Sequence, residues 1–124
     1  MPLTIYADGG NNGSNPSTSV YWSVAIYRGE TLLYKETVQS PFYSTNNEAE
    51  YMAVDLAISQ GIKYEQPNEL IDIRSDSQLV VNQINGLWKC KKKPLQDLLA
   101  NIYLRDNMRL SWVSRDLIVE YLGH

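Results

Sequence analysis

The sequence predicts an α/β fold in one domain, built on a mixed sheet in which an antiparallel meander joins strands that return through helical crossovers. Three observations carry that prediction. Apolar periodicity along the chain gives the element order β-β-β-α-β-α-α-β-α. A length of 124 residues suffices for one core but not for two. Two apolar runs, "LTIYA" and "ELIDIRS", each lead into an aspartate, Asp8 and Asp76. As parallel neighbours those strands would bring both carboxylates out at one sheet edge, where open α/β sheets place their sites.

The elements follow in order. "LTIYA" is a short strand ending at Asp8, and "GGNNGSNPST" after it is loop, dense in Gly and Asn. "SVYWSVAIYRGETLLYKETVQ" holds two β-rich runs broken by "RGE", hence a hairpin. "NNEAEYMAVDLAISQGI" has helical period, with Ala49, Met52, Ala53, Leu56 and Ala57 on one face and Gly61 near its end. "ELIDIRS" is a strand running into Asp76, and "SQLVVNQI" is a helix for which Asp76 would be a good N-cap. "PLQDLLANIYL" is a helix opened by Pro94. "MRLSWVS" is the last strand, and "RDLIVEYLGH" is a short closing helix or turn.

Composition excludes several classes of function. The apolar fraction of 44% is ordinary for a globular protein. No apolar run approaches the roughly 20 residues of a membrane span, and "MPLTIYADGG" has no basic region followed by an apolar stretch. A single cysteine, Cys90, rules out an internal disulfide and suits a reducing compartment, so a cytoplasmic location is the expectation. A monomer is the default. The net charge of -3 gives no whole-chain attraction to nucleic acid, so any such binding needs a local patch. "WKCKKKP" is one, with Lys89, Lys91, Lys92 and Lys93 beside Trp88. Lysines neutralise phosphates and an exposed indole stacks on sugar or base. On its own the run reads equally as a solvated loop.

The stretch "TNNEAEY" from residue 45 places two glutamates at a helix start, more negative charge than capping requires. At about 100° per residue, Glu48 lies along Met52, Asp55 and Ser59, an edge turning toward water, and suits a first-turn dipole partner. Glu50 lies between Ala53, Val54 and Ala57, a stripe with no other charge. A carboxylate there costs desolvation unless something compensates it. A metal ion held jointly with Asp8 and Asp76 would do so.

In sequence, "YADGG", "TNNEAEY" and "SDSQLVVNQINGLWKCKKKPLQDLL" resemble the successive signatures of the type 1 ribonuclease H family. The resemblance covers most of the chain. It implies a mixed five-stranded sheet flanked by helices and a hydrolase that cuts the RNA strand of RNA/DNA hybrids endonucleolytically. It also implies two Mg²⁺ or Mn²⁺ ions, with Asp8 bridging both while Glu50 and Asp76 complete one of them. Hard oxygen ligands suit those ions, and nothing here offers the Cys/His set that zinc prefers.

The match departs at the C-terminus. An ungapped alignment of "WVSRDLIVEYLGH" sets Leu122 at the family's fourth acid, whereas a two-residue deletion sets Glu120 there and is the preferred reading. The family's loop histidine is missing. His124 is terminal, and Arg115 offers positive charge instead, or a partner for a carboxylate. Residue by residue, the resemblance puts Asn15, Asn46, Asn47 and Gln78 at the hybrid's minor groove, Thr45 at a DNA-strand phosphate, and Trp88 with Lys89 along the DNA channel. The family's long basic handle is absent, which implies modest, salt-sensitive hybrid affinity. The competing expectation is a catalytically weak ribonuclease H-like module that binds nucleic acid or a partner.

Overall fold

A computed structural model describes residues 2–11, 19–40, 42 and 44–123. Among these residues the strands are β1 (Leu3–Asn11), β2 (Val20–Arg28), β3 (Thr31–Gln39), β4 (Ile71–Ser75) and β5 (Met108–Trp112). The helices are α1 (Asn46–Tyr64), α2 (Gln78–Ile84), α3 (Lys93–Ala100) and α4 (Arg115–Leu122). The strands form one sheet in the order β3-β2-β1-β4-β5. β1, β2 and β3 are antiparallel neighbours, while β4 runs parallel to both β1 and β5. The meander, the crossovers and the parallel pairing of the two acid-bearing strands are as the sequence predicts.

Strand alternation splits the molecule into two apolar clusters. Leu3, Ile5 and Ala7 of β1 join Val24, Ile26, Ile71 and Ile73 beneath α1, α2 and α3. Tyr6 points to the opposite face, where Ala25, Ile118 and Leu122 are buried beneath α4 and Tyr6 stacks on Tyr121 with ring centroids 4.2 Å apart. The first cluster is the main core. The second is small and depends on one helix.

The hairpin turns at Gly29, whose φ of 61° is open to glycine at little cost. α1 starts with a reciprocal capping box: Glu48 N–H donates to the Thr45 hydroxyl at 3.1 Å, and Thr45 N–H donates to the Glu48 carboxylate at 3.0 Å. Glu48 is thereby a first-turn structural residue, in line with its helix position. The N-cap of α2 is Ser77 rather than Asp76, its hydroxyl accepting from Val80 N–H. That shift of one residue relieves Asp76 of capping. α3 stops at Ala100, short of the predicted Leu104.

Gly61 does not terminate α1. It lies inside the helix, where an added Cβ would stand 2.8 Å from Ile5 Cδ1, so helix and sheet touch at this point. A tighter approach occurs at Gly9. A Cβ there would meet the Ala49 carbonyl carbon at 2.4 Å and the Glu50 nitrogen at 2.6 Å. The obstacle is backbone, which cannot rotate aside. Gly9→Ala should therefore lose about 1–3 kcal/mol by overpacking, read as a lower urea midpoint at unchanged m-value. A midpoint within error of the parent would show that β1 and α1 can separate freely.

Candidate active site

β1 continues to Asn11, so Asp8 sits within the strand and not past its end as the sequence suggests. Its parallel pairing with β4 nevertheless stops at Tyr6–Arg74, while pairing with β2 carries on through Asp8–Ser23. β1 and β4 thus part at the level of Asp8, and Asp76 follows the last residue of β4 into the same gap. By alternation Asp8 faces the α4 side and Gly9 faces α1. Gly9 packs on the first turn of α1, which brings Glu50 to the gap from the other face. Gly9 N–H donates to Glu50 Oε1. One carboxylate oxygen from each of Asp8, Glu50 and Asp76 lies within 4.8 Å of the others, the one such group among the described residues.

These acids lie in poor solvent. Asp8 is 1% exposed. Burial, then the neighbouring charges of Asp8 and Asp76, push the Glu50 carboxyl up to about 9, against weaker opposing help from Gly9 N–H and Arg115. A cluster of hard oxygens short of positive charge is a fitting donor set for Mg²⁺ or Mn²⁺ and a poor one for zinc.

Arg115, the first residue of α4, is the cation that the chain itself supplies. Its Nη1 donates to Asp8 Oδ2 at 2.9 Å and to Asp76 Oδ2 at 3.1 Å. Its side chain as a whole stays 52% exposed. Glu120 does not join the cluster. Ile118 and Leu122 face the sheet, and Glu120 lies about 160–200° around the helix from both. Arg115 lies within about 60° of both. The deletion that supplies an acid from the sequence of α4 therefore puts that acid on the outer face, where it is exposed.

The cleft around the acids is lined by Gly10, Asn11, Tyr21, Asn46, Asn47 and Ser77. Asn46 and Asn47 line this cleft, and Asn46 Oδ1 accepts from Asn11 Nδ2 at 2.5 Å. Thr45 caps α1, and Gln78 is exposed on the first turn of α2 beside Ser77. Asn15 and His124 lie outside the described residues. Tyr21 and Asn11 escape the sequence reading because only the β1–β2 register, Gly10 opposite Tyr21, brings that phenol over the site.

The lysine loop is exposed, with Trp88 at 48%, and it is tied down from beneath. Tyr51 hydroxyl donates to Gln83 Oε1 at 2.5 Å, and Gln83 Nε2 donates to the Lys89 carbonyl at 3.1 Å. Lys92, Thr45, Asn47 and Glu48 line one pocket, so the basic loop adjoins the acid cleft across the N-terminus of α1. No helix among the described residues is long and apolar enough to cross a membrane.

Comparison with known proteins agrees with this architecture. The family model described as RNase H matches residues 1–114. "Bifunctional protein Rv2228c" of Mycobacterium tuberculosis is 32% identical over 121 residues, covering 93% of this chain and 32% of the mycobacterial one. This chain thus spans about a third of the length of that curated relative. Among solved structures, LC11-RNase H1, from compost by a metagenomic approach, was determined in complex with an RNA/DNA hybrid. It superposes with a TM-score of 0.85 at 25% identity over 96% of this chain and 90% of that one. The N-terminal RNase H domain of the mycobacterial protein, solved as a maltose-binding-protein fusion, gives 0.77 at 26% identity, covering 99% and 94%.

The raised Glu50 carboxyl has a signed consequence. Its folded value exceeds the ordinary carboxylate value, so the folded state holds a proton that the unfolded chain releases. In chelator, stability should be full below about pH 4.5 as regards this group and decline as pH rises toward about 9. Glu50→Gln should flatten that decline and melt higher than the parent at pH 8. Parallel pH–Tm curves for the two proteins would contradict the assignment.

Proposed function

This chain belongs to the RNase H family, and we propose that it hydrolyses the RNA strand of RNA/DNA hybrids endonucleolytically, leaving 5′-phosphate ends. The observation that carries this reading is the convergence of Asp8, Glu50 and Asp76 in a cleft walled by amides. The hybrid seen with LC11-RNase H1 supports the choice of substrate.

Asp8, Glu50 and Asp76 are the proposed ligands of Mg²⁺ or Mn²⁺. When bound, the metal supplies an activated water and stabilises charge on the phosphate and the departing 3′ oxygen. The two-ion expectation requires ligands beyond these three carboxylates, and oxygens of the scissile phosphate are suitable. Gly9 N–H orients the Glu50 carboxylate toward the cleft. No side chain acts as nucleophile, because water attacks and the 3′ oxygen leaves, which is why the phosphate stays on the 5′ end.

Asn46 and Asn47 line the cleft, and on this reading their amides would donate to and accept from a 2′-hydroxyl, which separates RNA from DNA. Trp88, Lys89 and the following lysines would carry the DNA strand, continuous with the cleft through Lys92. Gln78 and Thr45 belong to the same proposed binding surface. One observation favours the second reading, a binding module of low activity: Arg115 occupies two of the acids and Glu120 faces away.

A labelled hybrid incubated with Mg²⁺, Mn²⁺ or chelator decides between them. Cleavage should need metal, fall by at least about a hundredfold in Asp76→Asn, and survive Glu120→Gln within about twofold. Cleavage that persists in Asp76→Asn would remove the acids from the mechanism, and uncut hybrid with the parent protein would favour the binding module. Replacing Lys91, Lys92 and Lys93 by alanine should weaken hybrid binding and reduce the log–log salt slope by about one for each phosphate that is no longer neutralised. An unchanged slope would return the loop to plain solvent exposure.

A further inference from the structure

Arg115 is the charged group at the cleft that the proposed hydrolysis leaves without a task. It bridges the carboxylates of Asp8 and Asp76 by a single nitrogen, at 2.9 and 3.1 Å. Those carboxylates come from β1 and from the β4–α2 junction, and they are two of the three whose oxygens lie close enough together to hold one ion. Their side chains are 2% and 12% exposed, whereas that of Arg115 is 52% exposed. The anions are therefore fixed and desolvated, while the cation sits at the rim on a long, flexible stem.

We propose that Arg115 is the resident counter-cation of the metal-free cluster, and that it competes with divalent metal for Asp8 and Asp76. The proposal rests on the metal-binding reading above and adds to it a determinant of metal affinity. Three arguments support competition over simple coexistence. A guanidinium stays protonated throughout the working pH range, so its charge leaves the cluster only when the side chain moves. A divalent ion held by the same carboxylates would repel that charge through poorly solvated space. Finally, the exposed rim position lets water replace the bonds that the guanidinium loses, while a divalent ion would take over its role at the two desolvated carboxylates. Even with Glu50 protonated, the bridge leaves the cluster short of neutrality among the described residues, because Asp8 and Asp76 share one guanidinium.

Calorimetric titration of the full chain with MnCl₂, and NMR of the arginine side-chain N–H groups in chelator and in saturating MgCl₂, test this directly. Arg115→Gln should bind Mn²⁺ about two- to fivefold more tightly than the parent, the range an exposed-side charge pair spans, with Arg115→Lys between them. In the parent, the Arg115 Nη protons should exchange slowly with water in chelator and rapidly at saturating Mg²⁺. Unchanged or weaker Mn²⁺ binding by a folded Arg115→Gln would overturn the competition while leaving the metal site standing. Slow exchange retained at saturating Mg²⁺ would overturn it equally, and that readout needs no variant to fold. If the parent and Arg115→Gln both give no binding heat, and Glu50→Gln gives none either, the metal site and the competition fall together.

Discussion

The site exists because β1 and α1 touch backbone to backbone at Gly9. With 2.4 Å between the Ala49 carbonyl carbon and the place a Cβ would occupy, any side chain there would lift the strand from the helix. This close approach does two things at once. It sets Asp8 and Glu50, which lie in separate elements, on opposite sides of one short gap, and it turns Gly9 N–H onto the Glu50 carboxylate. Asp76 needs no such device, since the parallel pairing of β4 with β1 delivers it to the same level.

The electrostatic arrangement sets the site against the rest of the fold. Elsewhere, buried charge is matched: Glu69 receives both Arg28 nitrogens at 2.8 Å, a bidentate pair that holds its carboxyl well below the usual carboxylate range, down to about 2. At the cleft, Asp8 and Asp76 share one half-exposed guanidinium, and Glu50 is driven the opposite way. Stability is thus given up locally at the gap and recovered in the apolar core beneath α1, α2 and α3.

Much of this was legible in the residues. The order of strands and helices follows from periodicity. Glu50 separates from Glu48 by helix phase alone, because Ala53, Val54 and Ala57 are buried in the structure as the stripe requires. Other features depend on tertiary facts that periodicity does not encode. Ser77 and Asp76 are both sound caps, and only the turn after β4 decides between them. Gly61 looks like a stop and is instead a packing notch for Ile5. Tyr21 reaches the cleft through the β1–β2 register, which the Gly- and Asn-rich stretch between those strands hides from sequence. At α4 the alignment chose Glu120 to preserve an acid, whereas the buried pair Ile118 and Leu122 fixes a rotation that turns Arg115 inward and Glu120 out.

The buried chain from Tyr51 through Gln83 to the Lys89 carbonyl joins the helix that carries Glu50 to the loop that carries the lysines. Such a link works as a ruler. On the proposed reading, the interval between gripping one strand of a duplex and cutting the other is set by one phenol and one amide inside the core, and it stays constant however the surface side chains rearrange.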